Sequence, residues 1–453
     1  DRPRVRRDRR EHVPQRRFIG PDGREKSGTQ AVHFIPAPFQ FCLTCGVHHS
    51  AHRQSDFGKL ATLGTEGRST ATTLLSLTAI RRLRKVAGLN DNARKLLSFT
   101  DNRQDASLQA GHFNDFVHIA LVRSALFRAI VKSGPDGLGH DDLVTAVFDA
   151  LDLSVDLYAQ TPGATYRQRE ETDRALRKVL GYHVYRDLKR GWRLTSPNLE
   201  QCGLLQLRYV SLADIAAEND CWSSIEGFSA AAPDLRAHLC QVLLDHLRRE
   251  LAISVEFLNE ERRENIFQSS QQYLIDPWRL DEHDRNLELA HVAFPCSKDA
   301  NKGHPRGVYV SPRGGFARYV RRKLHDEQGI ELKTDDLADL LTRLFAMLAD
   351  RGFLTVAHKQ RGKEPVPGYQ LKASEIRWYA GPGADRFWDP IDVPRQPKDG
   401  LRPNRFFVDF YRADTRDLRR IEGREQTAQV TSEQRRERER RFGTADSHVL
   451  FCT

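Results

Sequence analysis

Lys95-Leu-Leu-Ser-Phe-Thr-Asp-Asn-Arg-Gln-Asp-Ala106 decides how this chain is read. Its apolar run, residues 95–100, has the length of a buried strand, and Asp101-Asn102 supplies the turn that ends it. Beyond the turn, Phe113, Phe116, Val117, Ala120, Leu121 and Ser124 recur at three- and four-residue spacing, which predicts a long helix. A strand leading through a short polar loop into a helix is the unit of a parallel α/β sheet. In such a sheet, ligands meet the loops at the C-terminal ends of the strands. Thr100, Asp101, Arg103, Gln104 and Asp105 stand at such an end. Two readings of Arg103 stay open: a phosphate ligand steadied by Asp101 or Asp105, or a structural Arg–Asp cluster capping the helix.

Toward the C-terminus the alternation returns. Asn404-Arg-Phe-Phe-Val-Asp-Phe-Tyr411 reads equally as a strand or as the start of a helix. Gln426-Thr-Ala-Gln-Val430 predicts a short strand. Thr431 with Gln434 makes a capping box that opens a heavily charged helix ending near Phe442. His448-Val-Leu-Phe-Cys-Thr453 predicts another buried strand. Residues 95–124 and 401–453 are therefore expected to be parts of one sheet, with 96–99 and 449–451 among its strands. Upstream, Ser69 caps an expected helix over residues 69–86, whose Leu74, Leu75, Leu77, Ile80 and Leu83 share one face.

Between the two parts, residues 125–400 read as a mostly helical insertion. Its clearest section lies at about 330–380. Thr334-Asp335-Asp336 caps a helix striped by Leu337, Leu340, Leu341, Leu344, Phe345 and Leu348, and Gly352 stops it. Phe353-Leu-Thr-Val356, a Gly/Pro turn and Tyr369-Gln-Leu371 follow. Helix, strand, loop, strand is the end of a winged helix, here with a basic wing at Lys359, Arg361 and Lys363. A generic helix packed on a hairpin fits the same text.

With 71 Lys and Arg against 61 Asp and Glu, the 453 residues carry a formal net charge of +10. That balance favours a polyanionic partner, unless the abundant arginine is only compositional bias. No apolar run reaches the ~18 residues of a membrane span, and no membrane partner is expected. The seven cysteines are spread too thinly for a disulfide framework and suit a reducing, cytoplasmic setting. Residues 1–31, rich in arginine without apolar period, read as a basic flexible arm, and 32–94 as a connecting segment. Position 1 is Asp1 and the only methionine is Met347, so the chain reads as a piece of something longer.

Arg435, six residues, Phe442, five residues and a strand ending at Cys452-Thr453 resemble the second RecA-like lobe of superfamily-two DEAD/DEAH-box helicases. Leu97-Ser-Phe-Thr-Asp-Asn-Arg-Gln-Asp-Ala106 resembles the opening strand and loop of that lobe. It is especially similar to the large bacterial helicases of phage-defence and repair systems. Gly64-Thr-Glu-Gly-Arg-Ser-Thr-Ala-Thr-Thr73 has a weaker likeness, and the whole resemblance covers 41–124 and 404–453. It implies a RecA-like lobe split by the insertion, a DNA partner, and ATP with Mg2+ held between this lobe and a first lobe of the same protein. It also implies that Gln426, Thr427, Gln429 and Thr453 face nucleic acid or the ATP cleft, although Gln426 stands where the family more often has His. The text carries no Gly-x4-Gly-Lys-Ser/Thr loop, and Asp281-Glu282-His283-Asp284 follows no buried strand. By the resemblance, the first lobe lies upstream and the arginine finger beyond Thr453, so this piece alone is expected to be catalytically inactive.

Cys42-x2-Cys45, followed by His48, His49 and His52, is half of a zinc site or else two reduced cysteines in a turn. Cys202, Cys221, Cys240 and Cys296 lack metal spacing and read as core residues. The competing functional reading is a non-enzymatic winged-helix DNA-binding adaptor, for which the long insertion speaks.

Overall fold

Three parallel strands form the sheet on which the molecule is organised: β3 (Leu96–Phe99), β11 (Gly423–Gln426) and β12 (Val449–Cys452), with β12 in the centre. Register pairs Leu96 with Val449 and Gly423 with Val449, so segments more than three hundred residues apart in sequence lie side by side as expected. The computed structural model describes residues 15–20, 25, 30–34, 65–100, 103–189, 196–280, 287–300, 303–360, 366–393, 400–428 and 430–453.

In chain order, β1 (Gln15–Ile19) and β2 (Gln30–Phe34) pair as an antiparallel hairpin within and just past the stretch read as an arm. Arg17 explains the ordering locally, since it pairs with Glu25 at 2.9 Å and lies over the Phe34 ring. Helix α1 (Thr65–Arg84) begins four residues before the expected cap, so Ser69 sits inside it. After β3 comes α2 (Arg103–Ser133), a single helix of 31 residues. The insertion follows with α3 (His140–Leu151), α4 (Tyr166–Arg186), β4 (Leu205–Tyr209), α5 (Leu212–Ala217), α6 (Pro233–Arg249), β5 (Ile253–Ser254), α7 (Glu260–Tyr273), β6 (Val292–Phe294) and β7 (Gly307–Tyr309). Then come α8 (Gly315–Gln328), α9 (Thr334–Asp350), β8 (Leu354–His358), β9 (Gly368–Lys372) and β10 (Ile376–Ala380). The chain returns through α10 (Arg405–Arg412) to β11, α11 (Ser432–Gly443) and β12.

The insertion carries more strand than its text announces. β4 and β10 pair antiparallel, and β5, β9, β6 and β7 with β8 make a curled mixed sheet. Helix α9 keeps its expected apolar stripe buried, and Gly352 ends it at φ +89°. Its start differs by one position: Thr334 is already helical, and the Asp336 carboxylate accepts from the Lys333 N–H at 2.7 Å. The β8–β9 hairpin follows where expected, as part of the curled sheet.

Of the two readings open for residues 404–411, the chain takes the helix, which the Asn404 side chain caps by accepting from the Phe406 N–H at 3.1 Å. Two local expectations are corrected. The strand placed at 426–430 is instead β11, ending at Gln426; Asn114 of α2 fixes both backbone groups of Gly423, at 2.8 and 2.9 Å. β3 is not fully buried. It is an edge strand with α2 behind it: Phe113 packs on Phe451 at 6.0 Å, while Leu97 and Phe99 on the other face are 48% and 73% exposed.

Candidate nucleic-acid interface

Register brings Phe99, Cys452 and Gln426 abreast at the last paired position of the sheet. One residue further on stand Thr100, Thr453 and Thr427, and the Thr100 N–H donates to the Cys452 carbonyl at 2.8 Å. Strands lie about 4.8 Å apart, so this rim is roughly 10 Å wide. Beside it α2 begins at Arg103. Asp105 lies in the first helical turn, where a carboxylate suits the positive end of the helix dipole.

The rim separates the expected residues into two groups. Thr453, Arg103 and Gln104 are exposed and Thr100 is half-buried, all close to the edge. Arg103 forms no ion pair among the described residues, so the Arg103–Asp105 partnership is not made. Thr427 is only 5% exposed and is packed into the interior rather than presented at the surface. The Gln426 amide donates to Glu439 of α11 at 2.8 Å, which turns it toward its own helix. Asp101 and Gln429 lie outside the described residues. Phe99 was not foreseen here: its aromatic ring lies open at the strand end. The run Leu96-Leu-Ser-Phe99 alternates in a way that does not tell which face lacks a cover.

At the opposite end of the strands, a cleft of about 820 Å³ is lined by Arg84, Arg419, Arg424, Arg441, Glu422 and His448, among others. Its cations are largely matched. Glu422 takes both Arg424 and Arg441, Asp152 takes Arg419 at 3.2 Å, and Asp156 takes Arg420 at 3.4 Å. This end is a structural seam between sheet and insertion. A guanidinium has only donors, so the Arg84 contact at 2.7 Å makes Nε2 of His448 the acceptor and the ring neutral. Burial, helped by Arg84, pushes the His448 pKa down to about 4. The unfolded chain therefore binds a proton that the native ring refuses. The stability contributed by the neutral ring is present above about pH 6.5 and is lost as the pH falls toward 4. His448→Gln should make the decline in melting temperature between those limits shallower, and an unchanged acid slope would contradict this assignment.

Cys42 and Cys45 also lie outside the described residues, and among the described residues no group of three or more His, Cys, Asp or Glu side chains is placed to hold a metal ion. Cys202, Cys240 and Cys296 are buried as expected, and burial pushes their thiols up. Cys221 is half-buried, donating to the Glu218 carbonyl at 3.2 Å. No described helix is long and apolar enough to cross a membrane. Set against protein-family models, curated proteins and solved structures, the chain finds no match, so its function is argued from its own geometry.

Proposed function

We propose that residues 95–124 and 401–453 form the second RecA-like lobe of a superfamily-two DNA helicase or translocase, split by the insertion, and that the rim at Thr100, Arg103 and Thr453 grips one strand of DNA. The observation that carries the reading is the parallel sheet assembled from two remote segments, with polar and cationic groups gathered at its C-terminal edge. Phe99 adds a base-stacking surface at the same edge. On this reading ATP and Mg2+ are bound with a first lobe that supplies the phosphate-cradling loop, which these 453 residues do not contain. ATP hydrolysis would supply the free energy for movement along the strand. The residues present offer no complete ATP site, and none of their roles is derived through one. The Cys42-x2-Cys45 pair joins the proposal as one half of a structural zinc site.

The test is binding of single-stranded DNA followed by fluorescence anisotropy across a salt series. Affinity should fall steeply with salt, because phosphate neutralisation releases counterions. Arg103→Ala should lower the log–log slope by about 0.7, the share of one phosphate on a single strand, at unchanged melting temperature. A fall in melting temperature with an unchanged slope would instead make Arg103 a structural residue. The 453 residues alone should turn over no ATP. Nucleic-acid-stimulated turnover should appear when a first lobe is supplied, and turnover without it would defeat the proposal.

A further inference from the structure

Helix α8 has two unlike sides. Phe316, Ala317, Tyr319, Val320 and Leu324 are buried, and the Tyr319 hydroxyl meets Nε2 of His238 on α6 at 2.6 Å. This anchors the helix on a rigid base. At about 100° per residue, Arg318, Arg321, Arg322 and His325 fall within an arc of roughly 100° on the other side. All four are exposed, as is Arg313 just before the helix, whose carbonyl accepts from the Arg318 guanidinium at 3.0 Å. None of the four arginines takes part in a salt bridge among the described residues. The neighbouring Lys323 is spent on Glu327 at 2.9 Å, away from the stripe.

The next helix has the opposite sign. Asp335, Asp339 and Asp350 are exposed on α9, Asp336 is half-buried, and the helix's one cation, Arg343, is held by Asp339 at 2.6 Å. In a helix-turn-helix arrangement the second helix enters the major groove. Here that helix would meet phosphates with carboxylates. The cationic surface of this unit therefore belongs to its first helix.

We infer that Arg313, Arg318, Arg321 and Arg322 form a contact strip for the sugar-phosphate backbone of duplex DNA, separate from the strand-end rim and indifferent to base sequence. Charge complementarity selects a polyanion. The absence of an exposed aromatic side chain from the stripe selects duplex over single strand, because single-strand binding surfaces rely on stacked bases. A duplex also carries twice the charge per length of axis, so a short row of guanidinium groups meets more phosphates on it. The strip lets the insertion hold the unopened duplex while another part of the protein engages a single strand, yet it stands whether or not the rim binds DNA.

The experiment uses the full 453-residue chain and short duplexes of unrelated sequence. Replacing Arg318, Arg321 and Arg322 together by Gln should weaken binding equally for every duplex and lower the log–log salt slope by about 2.7 between about 50 and 200 mM salt. The triple Lys variant should retain the slope, because charge rather than bidentate geometry sets it, and Arg343→Gln on α9 should leave it unchanged. Thermal unfolding of each variant checks that the fold persists. A triple Gln variant with the parent slope would overturn the inference. A loss confined to single-stranded DNA would overturn it as well. Because Arg103→Ala reports on single-strand binding, failure of the rim and failure of this strip are read separately.

Discussion

Arg123→Ala should cost the chain about 3–5 kcal/mol of stability, the range found when one partner of a buried ion pair is removed. Arg123 lies on α2, only 2% exposed. Its guanidinium makes two bonds to the Asp187 carboxylate, at 2.8 and 2.6 Å. Its remaining nitrogen donates to the Ser196 hydroxyl and to the Tyr411 hydroxyl, each at 2.8 Å. Burial alone would lower the pKa of Arg123, but Asp187 and Tyr411 outweigh it and raise it. One side chain thus ties the helix of the parallel sheet to the end of α4, to the segment at 196–197 and to α10. Alanine would strand a half-buried carboxylate and leave the buried Tyr411 hydroxyl with fewer partners. Arg123→Lys should recover little, because an ammonium cannot match the planar fork. Urea unfolding measures the loss, and a double-mutant cycle with Asp187→Ala should give a coupling above about 1 kcal/mol. Additivity of the two changes would show that the pair is ornamental.

Arg248→Met should cost about as much at neutral pH, again about 3–5 kcal/mol, but with a signature of its own. Arg248 is 0% exposed and bonds Glu200 at 2.6 Å and Asp245 at 2.9 Å, while Asp245 also accepts from Tyr209 at 2.9 Å. Burial already pushes the Asp245 carboxyl up against the pull of Arg248. Without the guanidinium, the native value of Asp245 stands still further above its unfolded value, so the native variant binds more protons than its unfolded chain. Stability present at low pH is then lost as the pH rises through those values. The gap between variant and parent should therefore narrow from pH 7 toward pH 5 in chemical unfolding. A gap that stays constant would mean that Asp245 does not carry the charge assigned to it.

What could be read from the residues, and what could not, follows from how each element earns its place. Leu96–Phe99 and Val449–Cys452 were legible because apolar runs end at polar turns, and their adjacency followed from the habits of parallel sheets. The stripe of α9 was legible from the three- and four-residue spacing of its apolar side chains, Leu337 to Leu348. Helix α11 buries no residue and was found through Thr431 with Gln434; the Thr431 hydroxyl accepts from the Gln434 N–H at 3.3 Å. β11 was misplaced because Gly423-Arg-Glu-Gln426 has no apolar pattern. It is held by backbone pairing and by Asn114, with Phe113 and Phe451 closing over Gly423. The β4–β10 pairing joins segments far apart in sequence, a distance that no local pattern encodes. At the rim, strand order placed Thr100 beside Thr453, but burial of Thr427 and exposure of Phe99 depend on which neighbours cover each face.

Helix α2 starts at the rim and ends inside the insertion without a break. Its 31 residues span about 46 Å at 1.5 Å per residue, so it serves as a lever arm. A tilt of about 5° at the Arg103 end would carry the Ser133 end by about 4 Å over that length. Arg123 sits roughly two-thirds of the way along and works as the fulcrum pin, clamped to α4 and α10. A force applied at the strand-end rim would therefore arrive in the insertion as a swing rather than as slack in a tether.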